Sequence, residues 1–153
     1  MILWVRHGQS TWNVLDRMQG HTAHPPLTYR GVEQAERAAT ALESRGAACI
    51  VSSPAVRAIQ TAGVIAARLG LELRTEPLLM ERGLDESVES VLARIHEFLS
   101  LDLSEPVVSV SHGDTIALAV GLLSGQPLQL PAHCSITTVD PVTRLVTVAQ
   151  VTD

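Results

Sequence analysis

Residues 2–8 read Ile2-Leu3-Trp4-Val5-Arg6-His7-Gly8, and the rest of the chain repeats their pattern. The first four are a short apolar run of β-formers, the length of a sheet strand and too short for a helix. The run breaks abruptly into a guanidinium, an imidazole and a residue without a side chain. Two later segments do the same. Ala47 to Val51 ends at Ser52 and Ser53, a few residues before Arg57, and Pro106 to Val110 ends at Ser111, His112 and Gly113.

Between and after these runs the periodicity changes. Helical patterns occupy about Tyr29 to Ser44, stopped by Gly46, Pro54 to Leu69, stopped by Gly70, Ser87 to Leu99, and Thr115 to Leu123, stopped near Gly125. Leu71 to Leu73, Ile136 to Val139 and Leu145 to Val148 add three more short strands. Strand alternating with helix predicts helices on both faces of a mainly parallel sheet. The expected fold is thus an α/β class, single-domain three-layer α/β/α sandwich over residues 1–153, a length that buries one core and leaves no room for a second. Ser53 and Pro54 predict a helix start, a serine cap followed by proline at the first helical position. Arg57 then falls at the end of the first turn, with its side chain leaning back toward the strand ends. The loop from Gln19 to Thr28, with Pro25 and Pro26, is expected to form a wall of the site.

Composition narrows the partners. A formal net charge of -5 argues against a nucleic-acid surface, which needs a clustered basic excess. All 11 basic residues are Arg, so any anion must be held locally by planar guanidinium forks. Cys49 and Cys134 lie in or beside apolar runs and read as reduced, buried thiols, which makes the cytoplasm the expected compartment. Met1 to Val5 lacks the features of a signal peptide, and no apolar stretch approaches a membrane span.

Ligands of open α/β sheets bind beyond the carboxyl ends of the strands, where the three polar clusters converge. Gly8 and Gly113 remove bulk beside each histidine, which would let backbone amides approach an anion, and the helix after Gly113 offers its positive dipole end. Two arginines and two histidines match phosphoryl transfer, in which catalysis is mostly positioning and neutralising charge on the equatorial oxygens. A neutral imidazole can be the nucleophile near pH 7. Protonating the leaving alkoxide needs a carboxyl group, for which Glu81 is the natural candidate and Asp114 its nearest rival. His21 and His24, spaced i, i+3, lack an evident third ligand and read as loop residues, and His96 and His133 read as structural. Ser111 lacks the flanking glycines of a nucleophile elbow, since position 109 is serine. Trp4 and Trp12 read as packing.

These residues resemble the histidine phosphatase superfamily, the group that includes cofactor-dependent phosphoglycerate mutases. The likeness runs through Val5-Arg6-His7-Gly8-Gln9-Ser10-Thr11-Trp12-Asn13, Gln19-Gly20, Pro26-Leu27-Thr28 to Gly31, Gln34 and Ala35, Ser52-Ser53-Pro54-Ala55-Val56-Arg57-Ala58-Ile59-Gln60-Thr61-Ala62, Glu81, and Val110-Ser111-His112-Gly113. The resemblance implies a phosphoglycerate mutase-like fold and a phosphomonoesterase of the histidine acid phosphatase type. In it His7 is nucleophile, Arg6, Arg57 and His112 bind phosphate, Glu81 donates a proton, and Asn13, Gln19 and Gly20 make secondary contacts. It implies no metal and no cofactor, and a phosphorylated small molecule or phosphoprotein as substrate. Two departures matter. The segment His21-Thr22-Ala23-His24-Pro25-Pro26 is one residue longer than the family's and lacks its acidic residue. The long insertion the family carries after its glutamate is largely missing, because Glu81 is followed almost at once by Arg82-Gly83-Leu84-Asp85-Glu86-Ser87. Mutases place tyrosine, arginine and lysine contacts in that insertion, whereas this chain has no Lys and its single Tyr29 lies elsewhere. A phosphatase is therefore expected ahead of a mutase, with a phosphate-recognising binding module as the alternative from outside catalysis.

Overall fold

A computed structural model describes residues 1–15, 25–127 and 130–150. Six strands form one sheet: β1 (Ile2–Arg6), β2 (Cys49–Ser52), β3 (Leu73–Thr75), β4 (Val107–Ser111), β5 (Ile136–Val139) and β6 (Val146–Ala149), in the order β3-β2-β4-β1-β5-β6. β3, β2, β4 and β1 run parallel; at one edge β5 pairs antiparallel with β1 and β6 antiparallel with β5. Five α-helices accompany them: α1 (Thr11–Val14), α2 (Tyr29–Leu42), α3 (Val56–Leu69), α4 (Val88–Leu99) and α5 (Gly113–Ser124). The mainly parallel α/β sandwich expected from the sequence is what forms.

Side-chain alternation along the strands divides the core in two. Leu3 and Val5 of β1, with Ile50, Val108 and Val110, meet α2 and α3 on one face. Trp4, Val51 and Val107 meet Val91, Ile95 and Phe98 of α4 and Ile116, Ala119 and Val120 of α5 on the other. A period of two along each strand and one apolar stripe per helix produce three layers.

Several boundaries differ from the sequence reading, each for a local reason. The helix expected from Pro54 begins at Val56, and its cap Ala55 makes no side-chain capping bond. The hydroxyl of Ser53 is engaged with His112 instead, and Arg57 is consequently the second residue of α3, nearer the strand ends than expected. β3 pairs through Leu73, Arg74 and Thr75, two residues later than expected, because the Leu71 N–H is still closing the end of α3 on the Ala66 carbonyl, past Gly70 at φ 68°. α1 and the 3-10 turn Pro77–Leu79 had no periodic signal. α1 is one turn held by a capping box between Ser10 and Asn13.

Glycine at 8 and 31 permits one close approach. A Cβ on Gly8 would lie 2.4 Å from the Gly31 carbonyl oxygen, and one on Gly31 would lie 2.2 Å from that of Gln9. Backbone against backbone, the segment after β1 is thereby pressed onto the start of α2.

Candidate active site

β1 and β4 are neighbours with Arg6 opposite Ser111. From β1 the chain proceeds to α2 on one face of the sheet, and from β4 it enters α5 on the other. Chains that leave adjacent strands in opposite directions open a crevice at the strand ends. His7, Arg57, His112 and Glu81 gather there.

His7 follows β1 and is 1% exposed, with its backbone N–H donated to the Ser111 carbonyl. Its Nδ1 lies 2.6 Å from the Gly8 carbonyl oxygen, an acceptor only, so the proton belongs on Nδ1 and the lone pair on Nε2. Burial is the main force holding the His7 pKa well below its ordinary value, and Arg57, Arg6 and His133 push in the same direction. At neutral pH this ring is uncharged and nucleophilic.

His112 caps α5 and is fully buried, its ring centroid 5.2 Å from that of His7 in an edge-on arrangement. Its Nε2 lies 2.8 Å from Ser53 Oγ, which also accepts from the Ala55 N–H. The serine proton is then best donated to Nε2, leaving N–H on Nδ1, a buried atom with no hydrogen-bond partner among the described residues. Burial again holds the pKa well below the usual value, with His7, Arg57, Arg6 and Arg94 adding to it.

The two guanidiniums arrive differently. Arg6 closes β1, donates Nη1 to the Pro131 carbonyl at 2.7 Å, and leaves its buried Nε without a partner among the described residues. It lies against the start of α5, where a Cβ at position 113 would sit a tight 3.3 Å from that Nε. Arg57 is fully buried and donates Nη2 to Glu81 Oε2 at 3.2 Å. Burial lowers both arginine pKa values from a starting point so high that both stay charged. Two fixed cations, an orphaned Nε and an orphaned imidazole N–H form a concave donor set for a small tetrahedral anion.

Glu81 follows the 3-10 turn, its Oε1 3.9 Å from His112 Nδ1. Burial raises its pKa more than Arg57 and Arg6 lower it, and Asp114 adds to the rise. A carboxyl held above its usual range beside His7 has the properties of a general acid. Asp114 itself is exposed on the first turn of α5.

His7, Glu81 and His112 each offer a ligand atom within 4.8 Å of the others, a spacing that could hold a metal ion. The neighbouring Arg6 and Arg57 oppose a divalent cation there and favour an anion. Other sequence candidates are placed as follows. Gly8 donates its N–H to Thr61 Oγ1, which in turn donates to the Arg57 carbonyl, so this amide ties the His7 loop to α3. The Asn13 amide oxygen accepts from the Ser10 N–H and hydroxyl. Gln19, Gly20, His21 and His24 lie outside the described residues. Pro25 to Thr28, the described end of that loop, is fastened beside the site by Thr11 N–H to the Pro26 carbonyl and Leu27 N–H to Gln60. His133, read from sequence as structural, stands at the site: its Nδ1 is 3.1 Å from the His7 carbonyl oxygen and its ring 5.7 Å from the His7 ring. Nothing local announces this residue. It arrives by the antiparallel return of β5 beside β1, 126 positions along the chain.

Over residues 2–86 the chain matches the family model described as Histidine phosphatase superfamily (branch 1). Probable phosphoglycerate mutase GpmB of Yersinia pestis (strain Pestoides F) is 32% identical over 182 aligned positions, covering 89% of this chain and 82% of that protein. The alignment is longer than the chain, so part of the relative faces gaps. Among solved structures, mycobacterial glucosyl-3-phosphoglycerate phosphatase in complex with VO3 is similar at a TM-score of 0.79 and 30% identity, over 89% of this chain and 90% of that one. TTHB049 from Thermus thermophilus is similar at 0.75 and 27% identity, over 95% and 96%.

Proposed function

Because the chain belongs to the histidine phosphatase superfamily, branch 1, we propose that residues 1–153 form a single-domain, metal-independent phosphomonoesterase working through a phosphohistidine on His7. In the first step His7 Nε2 forms a P–N bond as the ester P–O bond breaks, and Glu81 gives its proton to the departing oxygen. In the second, water attacks the phosphohistidine, Glu81 accepts a proton from it, and the P–N bond breaks to release phosphate and neutral His7. Splitting one difficult displacement into two in-line steps lowers each barrier. Arg6, Arg57 and His112 neutralise the equatorial oxygens. Gly113 leaves room for Arg6, Gly8 anchors the loop, and the family resemblance adds Asn13, Gln19 and Gly20 as further substrate contacts.

The observation that carries this reading is a buried, neutral His7 with its proton fixed on Nδ1, beside two guanidiniums and a carboxyl whose pKa is raised. Support also comes from the similar glucosyl-3-phosphoglycerate phosphatase structure. The short connection after Glu81 leaves the leaving-group side open, which suits either a phosphorylated metabolite or a phosphoprotein. The test is hydrolysis of a broad phosphate-ester panel by EDTA-treated protein. Turnover without metal is expected; phosphate binding with no turnover of any ester would favour a binding module. The name of the Yersinia relative favours a second reading, a mutase. Phosphate delivered to a second hydroxyl rather than to water would establish that instead.

A further inference from the structure

Glu81 sits on the connection between the 3-10 turn and α4, with no strand pairing to hold it. Its neighbours' carbonyls are gripped instead. Ser111 Oγ donates to the Leu79 carbonyl at 2.6 Å and Thr115 Oγ1 to the Met80 carbonyl at 2.9 Å. From α4, Arg94 Nη1 donates to both the Leu78 and Met80 carbonyls, at 2.8 and 3.0 Å. The same guanidinium meets Glu86 head on, Nε to Oε2 at 2.9 Å and Nη2 to Oε1 at 2.8 Å. Glu86 in turn accepts from the Gly83 N–H and the Ser90 hydroxyl, and its own carbonyl accepts from Arg82 Nε. Ser111 and Thr115 hold only peptides before Glu81, whereas Arg94 bridges the segment on both sides of it. A planar fork with several fixed donors can do this; a lysine ammonium cannot span the same acceptors.

We propose that Arg94 is the positioning residue for Glu81, setting the carboxyl between Arg57 and His112 without touching substrate. The proposal rests on the reading of Glu81 as proton donor. The pair Arg94–Glu86 is mostly shielded, with side chains 19% and 12% exposed, so its geometry is not that of a mobile surface ion pair. Misplacing a general acid costs the part of catalysis that depends on protonating the leaving group, typically about 10²- to 10⁴-fold. It leaves nucleophilic attack by His7 intact.

The experiment compares Arg94→Ala, Arg94→Lys and Glu81→Gln on two esters: 4-nitrophenyl phosphate, whose leaving group departs without a proton, and a simple alkyl phosphate, whose alkoxide needs one. Glu81→Gln and Arg94→Ala are both expected to lower kcat/KM, which reports only the steps up to the phosphohistidine, on the alkyl ester by about 10²-fold or more and on the aryl ester by only a few-fold. Arg94→Lys, the variant more certain to fold, should fall between with the same selectivity. Combining Arg94→Ala with Glu81→Gln should cost little more than Glu81→Gln alone. Equal losses on both esters for the Arg94 variants, with Glu81→Gln still selective, would overturn the positioning role alone. A Glu81→Gln variant with no preference between the esters would overturn the reading of Glu81 and the proposal with it.

Discussion

Lowering the pH should unfold this protein through its own active site. His7 and His112 are buried and neutral, with pKa values held well below the usual 6.5 by desolvation first, then by Arg57, Arg6 and His133 around His7 and by His7, Arg57, Arg6 and Arg94 around His112. Below pH 6.5 the unfolded chain binds a proton at each histidine that the folded chain refuses. Stability therefore falls as pH falls, toward the folded-state values. Between pH 7.5 and 5.5 a histidine that titrates only when unfolded removes about 1.4 kcal/mol, so the pair removes about 2.7 kcal/mol. That is a large share of a total stability of roughly 5–15 kcal/mol. Glu81 works in the opposite sense: its raised pKa means that between the unfolded value and its own the folded chain binds the extra proton, and acidification there adds stability. Glu81→Gln removes that compensation and exposes the histidine effect. With a urea m-value of about 2 kcal/mol/M, the midpoint of Glu81→Gln should drop by about 1.3 M between pH 7.5 and 5.5, followed by circular dichroism. Inorganic phosphate should shrink the loss by pairing the imidazolium charges. A Glu81→Gln midpoint unchanged over this range would refute the assignment of two buried neutral histidines.

Three further outcomes follow from the geometry. Gly31→Ala places a Cβ 2.2 Å from the Gln9 carbonyl oxygen, and backbone has no rotamer by which to yield; a cost of about 1–3 kcal/mol is expected, lowering Tm by roughly 3–10 °C in a thermal melt. Ser53→Ala strips His112 Nε2 of its partner in a fully buried setting, which should destabilise by about 1–3 kcal/mol and raise KM for phosphate esters in steady-state assays. Exhaustive treatment with EDTA should leave kcat unchanged, whereas a loss restored by one divalent ion would mean that His7, Glu81 and His112 hold a metal in function.

The fold was legible because its signals are local. Six apolar runs of strand length and four apolar stripes of helical period survive in almost any context, and the strands ending in Arg-His, Ser-Ser or Ser-His announced the crevice by themselves. What stayed hidden depends on partners far along the chain. Ser53 reads as a helix cap, but its hydroxyl also meets His112, 59 positions away, and α3 starts only at Val56. Gly8 reads as room for an anion until Thr61 claims its N–H and Gly31 its empty side. His133 and Arg94 carry no motif. The first is brought in by the antiparallel return of β5, the second by the docking of α4 under the segment that bears Glu81. Sequence pattern singled out the side chains that gather at the crevice, and tertiary contacts supply their neighbours.

The central claim is that His7 Nε2 carries the phosphoryl group between the two displacements. Mixing enzyme with a phosphate ester labelled in its phosphoryl group, quenching within milliseconds in alkali and mapping the label tests it directly. The label should appear on His7, alkali-stable and acid-labile, forming and decaying at least as fast as turnover, and should be lost in His7→Ala together with all but a residual activity. Product formation by the wild-type enzyme with no label on His7 at any quench time, or full turnover by His7→Ala, would contradict it.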